Sequence, residues 1–135
     1  METILPGVIV DGAHNEDGIA RFVETVQYFQ EEYPITLLFT TVSDKDFTDM
    51  IGRICKGLKF SQVVTTEIWG SRKQSAAELA ELFQENGCSD VFVETNVEEA
   101  FEKAYALKGE GLMFAVGSLY LVGEIKDYVR RRKHD

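Results

Sequence analysis

The stretch VIVDGAHNEDGIARFVETVQYF, Val8 to Phe29, changes its hydrophobic period partway along, and that change decides the fold. Val8, Ile9 and Val10 are apolar at consecutive positions, so neither face of this run suits water. A short strand of that kind belongs in a parallel sheet covered by helices. A polar turn follows, Asp11 to Asn15, and then Ile19, Phe22, Val23, Val26 and Phe29 recur every three or four residues as one helical stripe. The same unit repeats downstream. Ile35 to Phe39, Val91 to Val93 and Leu112 to Val116 are further runs of this type, with Val63-Val64 as a shorter one. Between and after them lie stripes at Phe47, Met50, Ile51, Ile54, Cys55 and Leu58; at Leu79, Leu82 and Phe83; at Val97, Ala100, Phe101, Ala104 and Leu107; and at Leu121, Val122, Ile125, Tyr128 and Val129. Strand and helix alternating in this way predict a three-layer, Rossmann-like α/β domain, with a mainly parallel sheet of five or six strands and helices on both faces.

Local punctuation agrees. Ser75 with Glu78 forms a capping-box pattern, and Asn96 with Glu99 repeats it with an Asn cap. Gly87 stands where a helix C-cap is wanted, and Pro34 prevents the first helix from continuing. The length, 135 residues with 44% hydrophobic side chains, suits a single domain over residues 1–135 whose core needs no metal or disulfide staple.

Composition excludes several function classes. A formal charge of −9 is the wrong sign for a protein that must neutralise phosphates, so no nucleic-acid partner is expected. The one basic run, Arg130 to Lys133, is better placed to complement the end of a helix. No apolar stretch approaches the ~18 residues of a membrane span, and a cytoplasmic location without membrane association is expected. Cys55 and Cys88 do not form a CxxC pair and the histidines are His14 and His134, so no metal site is expected and both thiols read as reduced and structural. GxGxxG does not follow the first strand and GxxxxGK(S/T) is absent, so the chain carries no phosphate cradle of its own. Thr65-Thr66 and Gly117-Ser118 also replace the aspartate and lysine that a phosphoacceptor receiver domain needs at those strand ends.

In an open α/β sheet, ligands bind at the carboxyl ends of the strands, so the chemistry should lie in the loops after each apolar run. The richest is Asp11-Gly-Ala-His-Asn15. Asp11 can bind an ammonium or a metal-bound water, and His14 can serve as a neutral acceptor or as a cation facing an anion. Gly117-Ser118 is second, because a glycine lets backbone approach a ligand and Ser118 opens the last helix, whose free N–H groups favour an anion. Lys45, within Ser43-Asp-Lys-Asp46, and Arg72 are further candidates for negative charge. A structural explanation stands beside each: Asp11 capping its turn, Asn15 and Ser118 capping helices, His14, Lys45 and Arg72 merely solvated.

Val8-Ile-Val-Asp-Gly-Ala-His-Asn15, Ser43-Asp-Lys-Asp46 and Gly117-Ser-Leu-Tyr-Leu-Val-Gly-Glu-Ile125, in this order, resemble the C-terminal domain of folylpolyglutamate synthases, members of the Mur ligase superfamily that in bacteria often double as dihydrofolate synthases. The resemblance spans nearly the whole chain and rests on DGAHN and GSLYLVGE, about a hundred residues apart. The family continues DGAHN with a proline where this chain has Glu16, a departure that affects how the first helix starts.

The resemblance implies one antiparallel edge strand that periodicity does not place. It implies ATP-dependent addition of L-glutamate to folate through an acyl phosphate. ATP and Mg would be bound by a preceding domain that this chain lacks, so the chain reads as a monomeric domain excised from a longer ligase, inactive alone and without catalytic residues of its own. Asp11 would hold the α-ammonium of glutamate, His14 a carboxylate or phosphate oxygen, and Ser118 with the last helix a glutamate carboxylate. Lys45 and Arg72 would meet the remaining charges. The competing expectation is a stand-alone α/β interaction or small-ligand module whose DGAHN turn is structural.

Overall fold

The computed structural model describes residues 1–41, 47–68 and 74–133. In chain order its elements are β1 (Glu2–Leu5), β2 (Val8–Asp11), α1 (Glu16–Gln30), β3 (Ile35–Phe39), α2 (Phe47–Gly57), β4 (Gln62–Thr65), α3 (Ala76–Glu85), β5 (Val91–Val93), α4 (Val97–Lys108), β6 (Leu112–Val116) and α5 (Leu119–Lys133). The strands form one sheet in the order β1-β2-β6-β3-β4-β5. All neighbours are parallel except β1, which pairs antiparallel with β2. This is the Rossmann-like three-layer domain expected, and β1 is the edge strand that periodicity left unplaced. Glu2 and Thr3 are exposed, so the strand lacks the apolar run that marks the others; a hairpin through Pro6 and Gly7, at φ +76°, folds it back.

The strands are apolar on both faces because both are covered. Leu37, Phe39, Phe114 and Val116 point into one core with Ile19, Phe22 and Val26 of α1, Ile51 and Ile54 of α2 and Leu79 and Phe83 of α3. Val8, Val10, Leu38, Met113 and Ala115 point into the other with Phe101 and Ala104 of α4 and Leu121 and Ile125 of α5. Aromatic edges lock the first layer, Phe22 against Phe114 at 5.8 Å and Phe39 against Phe83 at 5.3 Å between ring centroids.

Each predicted cap is formed. Ser75 Oγ accepts from the Ala77 and Glu78 amides, and Asn96 Oδ1 accepts from the Glu99 amide at 2.9 Å. After α3 the Cys88 amide donates to Phe83 O and the Gly87 amide to Gln84 O, a Schellman closure that Gly87 permits with φ +101°. The basic run belongs to α5 and is used internally: Arg131 pairs with Glu98 at 2.8 Å and Arg132 with Glu102 at 2.9 Å, both on α4.

One consequence of the strand order positions the site. The helix after β2 covers one face, whereas the helix after its neighbour β6 covers the other, and α2 after β3 returns to the first face. The connections therefore diverge on both sides of β6. At such a switch point the loops part and leave a crevice at the carboxyl edge of the sheet.

Candidate functional site

Asp11 closes β2 in register with Val116 at the end of β6, so the turn after β2 and the turn after β6 start side by side. A hydrogen bond from the Gly117 amide to Ala13 O, 3.1 Å, ties them together. Gly117 has φ +114°, and a Cβ there would lie 2.0 Å from Thr40 O at the end of β3. Only glycine lets these strand ends approach so closely.

Within the first turn, Asp11 Oδ1 accepts from the Ala13 amide at 2.9 Å, and Asn15 Oδ1 caps α1 by accepting from the Gly18 amide at 2.9 Å. His14 is exposed, with Nδ1 2.8 Å from Gly12 O. A carbonyl can only accept, so the proton sits on Nδ1 and the neutral ring presents Nε2 outward as an acceptor; the imidazolium would present a second donor there. Ser118 is 1% exposed and caps α5, with Oγ accepting from the Tyr120 amide at 3.1 Å and the Leu121 amide at 3.4 Å. The serine hydroxyl hydrogen remains as a donor.

Electrostatics single out α5. Among the described residues the first turns of α1, α2, α3 and α4 each carry a carboxylate, and that of α5 carries none. Its N-terminal partial positive charge is therefore not offset locally, which favours an anion at that end. Leu119 and Tyr120, 63% and 67% exposed, place apolar surface beside it.

Asp11 and Ser118 thus come together through their backbones, and His14 stands three residues from Asp11. A cleft of about 600 Å³ opens beside His14 on the other side, between α1 and α2, lined also by Asn15, Glu16, Asp49 and Arg53. Neither Asp11 nor Ser118 lines it. Sequence reasoning did not name Arg53, which reaches Glu16 at 2.7 Å and Asp49 at 3.0 Å. The signal available was the i,i+4 spacing of Asp49 and Arg53. Lys45 and Arg72 lie outside the described residues. At the neighbouring strand ends Thr65 Oγ1 donates to Ala76 O at 2.7 Å, while the buried hydroxyls of Thr40 and Thr66 have no hydrogen-bond partner among the described residues. Among the described residues no three His, Cys, Asp or Glu side chains gather as a metal site, and no helix is long and apolar enough to cross a membrane.

Residues 1–119 match the family model of the Mur ligase glutamate ligase domain. A probable bifunctional folylpolyglutamate synthase/dihydropteroate synthase of Halobacterium salinarum is 31% identical over 122 residues, 90% of this chain and 14% of that protein. Among solved structures, Escherichia coli FolC in complex with ADP superimposes with a TM-score of 0.83 at 20% identity, over 98% of this chain and 33% of that one. A bifunctional folylpolyglutamate synthase/dihydrofolate synthase with Mn, AMPPNP and L-glutamate bound gives 0.76 at 20% identity, over 93% and 32%. At these identities the structural likeness concerns the fold. The chain spans about a seventh of the haloarchaeal relative and about a third of the solved chains.

Proposed function

The chain belongs to the Mur ligase glutamate ligase domain family, and on that premise we propose that it is the C-terminal domain of a folylpolyglutamate synthase, supplying the amino-acid side of an ATP-dependent glutamate ligation. The observation that carries this reading is the switch point at β6, where the DGAHN turn is hydrogen-bonded to the start of α5, the one described helix without a carboxylate in its first turn. A cation-binding carboxylate and an anion-binding helix end, side by side, complement a zwitterionic amino acid.

In this reading Asp11 accepts from the α-ammonium of L-glutamate, using lone pairs beyond the one that its own turn occupies. His14 presents its Nε2 to a carboxylate or phosphate oxygen as the imidazolium. The N-terminus of α5, with the Ser118 hydroxyl, receives a glutamate carboxylate. Lys45 and Arg72 meet remaining negative charge. The sequence carries neither GxGxxG after its first strand nor GxxxxGK(S/T), which supports assigning ATP and Mg to the part of the ligase outside this chain, where ATP would activate the folate carboxylate as an acyl phosphate. Leu119 and Tyr120 give that part an apolar surface beside the crevice. The whole enzyme is read as cytoplasmic and monomeric.

Leu119→Glu tests the electrostatic core of the proposal. A carboxylate in the first turn of α5 complements the helix dipole and should stabilise the fold by about 0.3–1 kcal/mol, yet it would repel an incoming carboxylate. In the full-length ligase KM for glutamate is expected to rise about tenfold, or about 1.4 kcal/mol. Unchanged glutamate KM in a folded variant would overturn the assignment.

A further inference from the structure

Cys55, in the last turns of α2, and Cys88, just after the Schellman turn that ends α3, are distant in sequence and come from different elements. Their Sγ atoms lie 3.8 Å apart. Both thiols are free and half-buried, and both pack at the margin of the first core against its apolar side chains. The pair sits at the amino edge of the sheet, because α2 and α3 run back from the carboxyl edge, and Ser61, soon after α2, donates its amide to Ile35 O at the start of β3. The crevice beside β6 opens at the opposite edge.

We propose that Cys55 and Cys88 are a thiol–disulfide modification site, oxidised by a small-molecule disulfide to an intrachain bond that staples α2 to the α3–β5 turn. A disulfide needs sulfurs about 2.05 Å apart, so the two must approach by about 1.8 Å. Cys88 follows a glycine at φ +101° in a turn, and Cys55 lies two residues from its helix end, so side-chain rotation and small backbone adjustment can supply that approach. The two thiols are also chemically unequal. The hydrogen bond from Cys55 draws the Cys88 thiol below its ordinary range. The Cys55 thiol is held above its own range by hydrogen bonding to Cys88 and by burial.

The exchange runs in two steps across the 3.8 Å gap. Cys88 loses its proton and its thiolate attacks one sulfur of the small disulfide, forming a mixed disulfide and releasing one small thiolate. Cys55 then loses its proton and attacks Cys88 Sγ, forming the intrachain bond and expelling the second small thiolate. One disulfide is reduced to two thiols as the protein pair loses two electrons and two protons. The protein loop so closed spans 33 positions, which constrains the unfolded chain more than the folded one.

The test is to equilibrate the chain in an equimolar mixture of reduced and oxidised glutathione and quench with acid. Intact mass, peptide mapping without reduction and thermal melting are then recorded. The expected result is loss of about two mass units, a peptide linking positions 55 and 88, and a melting temperature raised by about 5–15 °C that reductant reverses. Cys55→Ser should stop at the intermediate, retaining one glutathionyl group on Cys88. Two free thiols in the wild type, a mixed disulfide that persists there, or a link between chains instead of within one would each overturn the proposal.

Discussion

Asp11, Asn15 and Ser118 all spend side-chain oxygens on their own turns, and the binding proposed for Asp11 and Ser118 would use what those turns leave free. DGAHN and the glycine before Ser118 were legible in the sequence because polar residues after an apolar run have few structural places to go. The near-complete burial of Ser118 was not, since it depends on how the strand ends are brought together in the fold. Lys45 and Arg72 remain expectations from spacing and charge. Gly117 makes the most demanding claim at this scale. With φ +114° and a Cβ position 2.0 Å from Thr40 O, Gly117→Ala must shift backbone at the end of β3, and a loss of about 3 kcal/mol or more is expected from denaturant unfolding. A loss below about 1 kcal/mol would mean that the two strand ends are not so closely opposed.

Helix existence and caps were readable because they rest on local chemistry. Asn96 contributes one bond to the start of α4, so Asn96→Ala should cost about 1 kcal/mol, measured as a lower urea midpoint with an unchanged slope. The edge strand β1 escaped detection because an exposed strand has no apolar run, and the Arg53–Glu16 pair escaped because Glu16 lies on another helix. Between α4 and α5 the charge pattern makes a pH prediction. Glu124 is held above the ordinary carboxylate range by partial desolvation and by the nearby charge of Glu98. Its folded pKa is thus above its unfolded one, so its ionised form destabilises the fold above that pKa and ceases to do so once protonated below the unfolded value. Glu124→Gln should therefore raise the melting temperature at neutral pH, and the advantage should vanish as pH falls through the carboxylate range. An advantage that grows on acidification would contradict this assignment.

For the whole molecule, alternation of period predicted layers and parallel strands, but strand order was beyond the sequence. That β6 inserts between β2 and β3 is decided by which helices cover which face, a long-range packing matter that no local pattern records. The order matters because it creates the switch point. The same division of labour predicts that the 135-residue chain alone binds Mg-ATP no tighter than about 10 μM, equivalent to about 7 kcal/mol, by titration calorimetry. Tighter binding would place a nucleotide site in this domain. The central claim is that Asp11, His14 and Ser118 serve one glutamate site although the last lies over a hundred residues from the first two. Charge-assisted hydrogen bonds are worth about 1.5–3 kcal/mol each. The most direct measurement is therefore kcat/KM for L-glutamate, taken with the melting temperature, on Asp11→Ala, His14→Ala and Ser118→Ala in the full-length ligase. A glutamate site predicts a fall in kcat/KM of about ten- to a hundred-fold per variant in folded protein, with His14→Ala least affected in stability because its ring is exposed. Lowered melting temperatures with glutamate kinetics unchanged in all three would show that these residues only cap their turns, and would contradict the account.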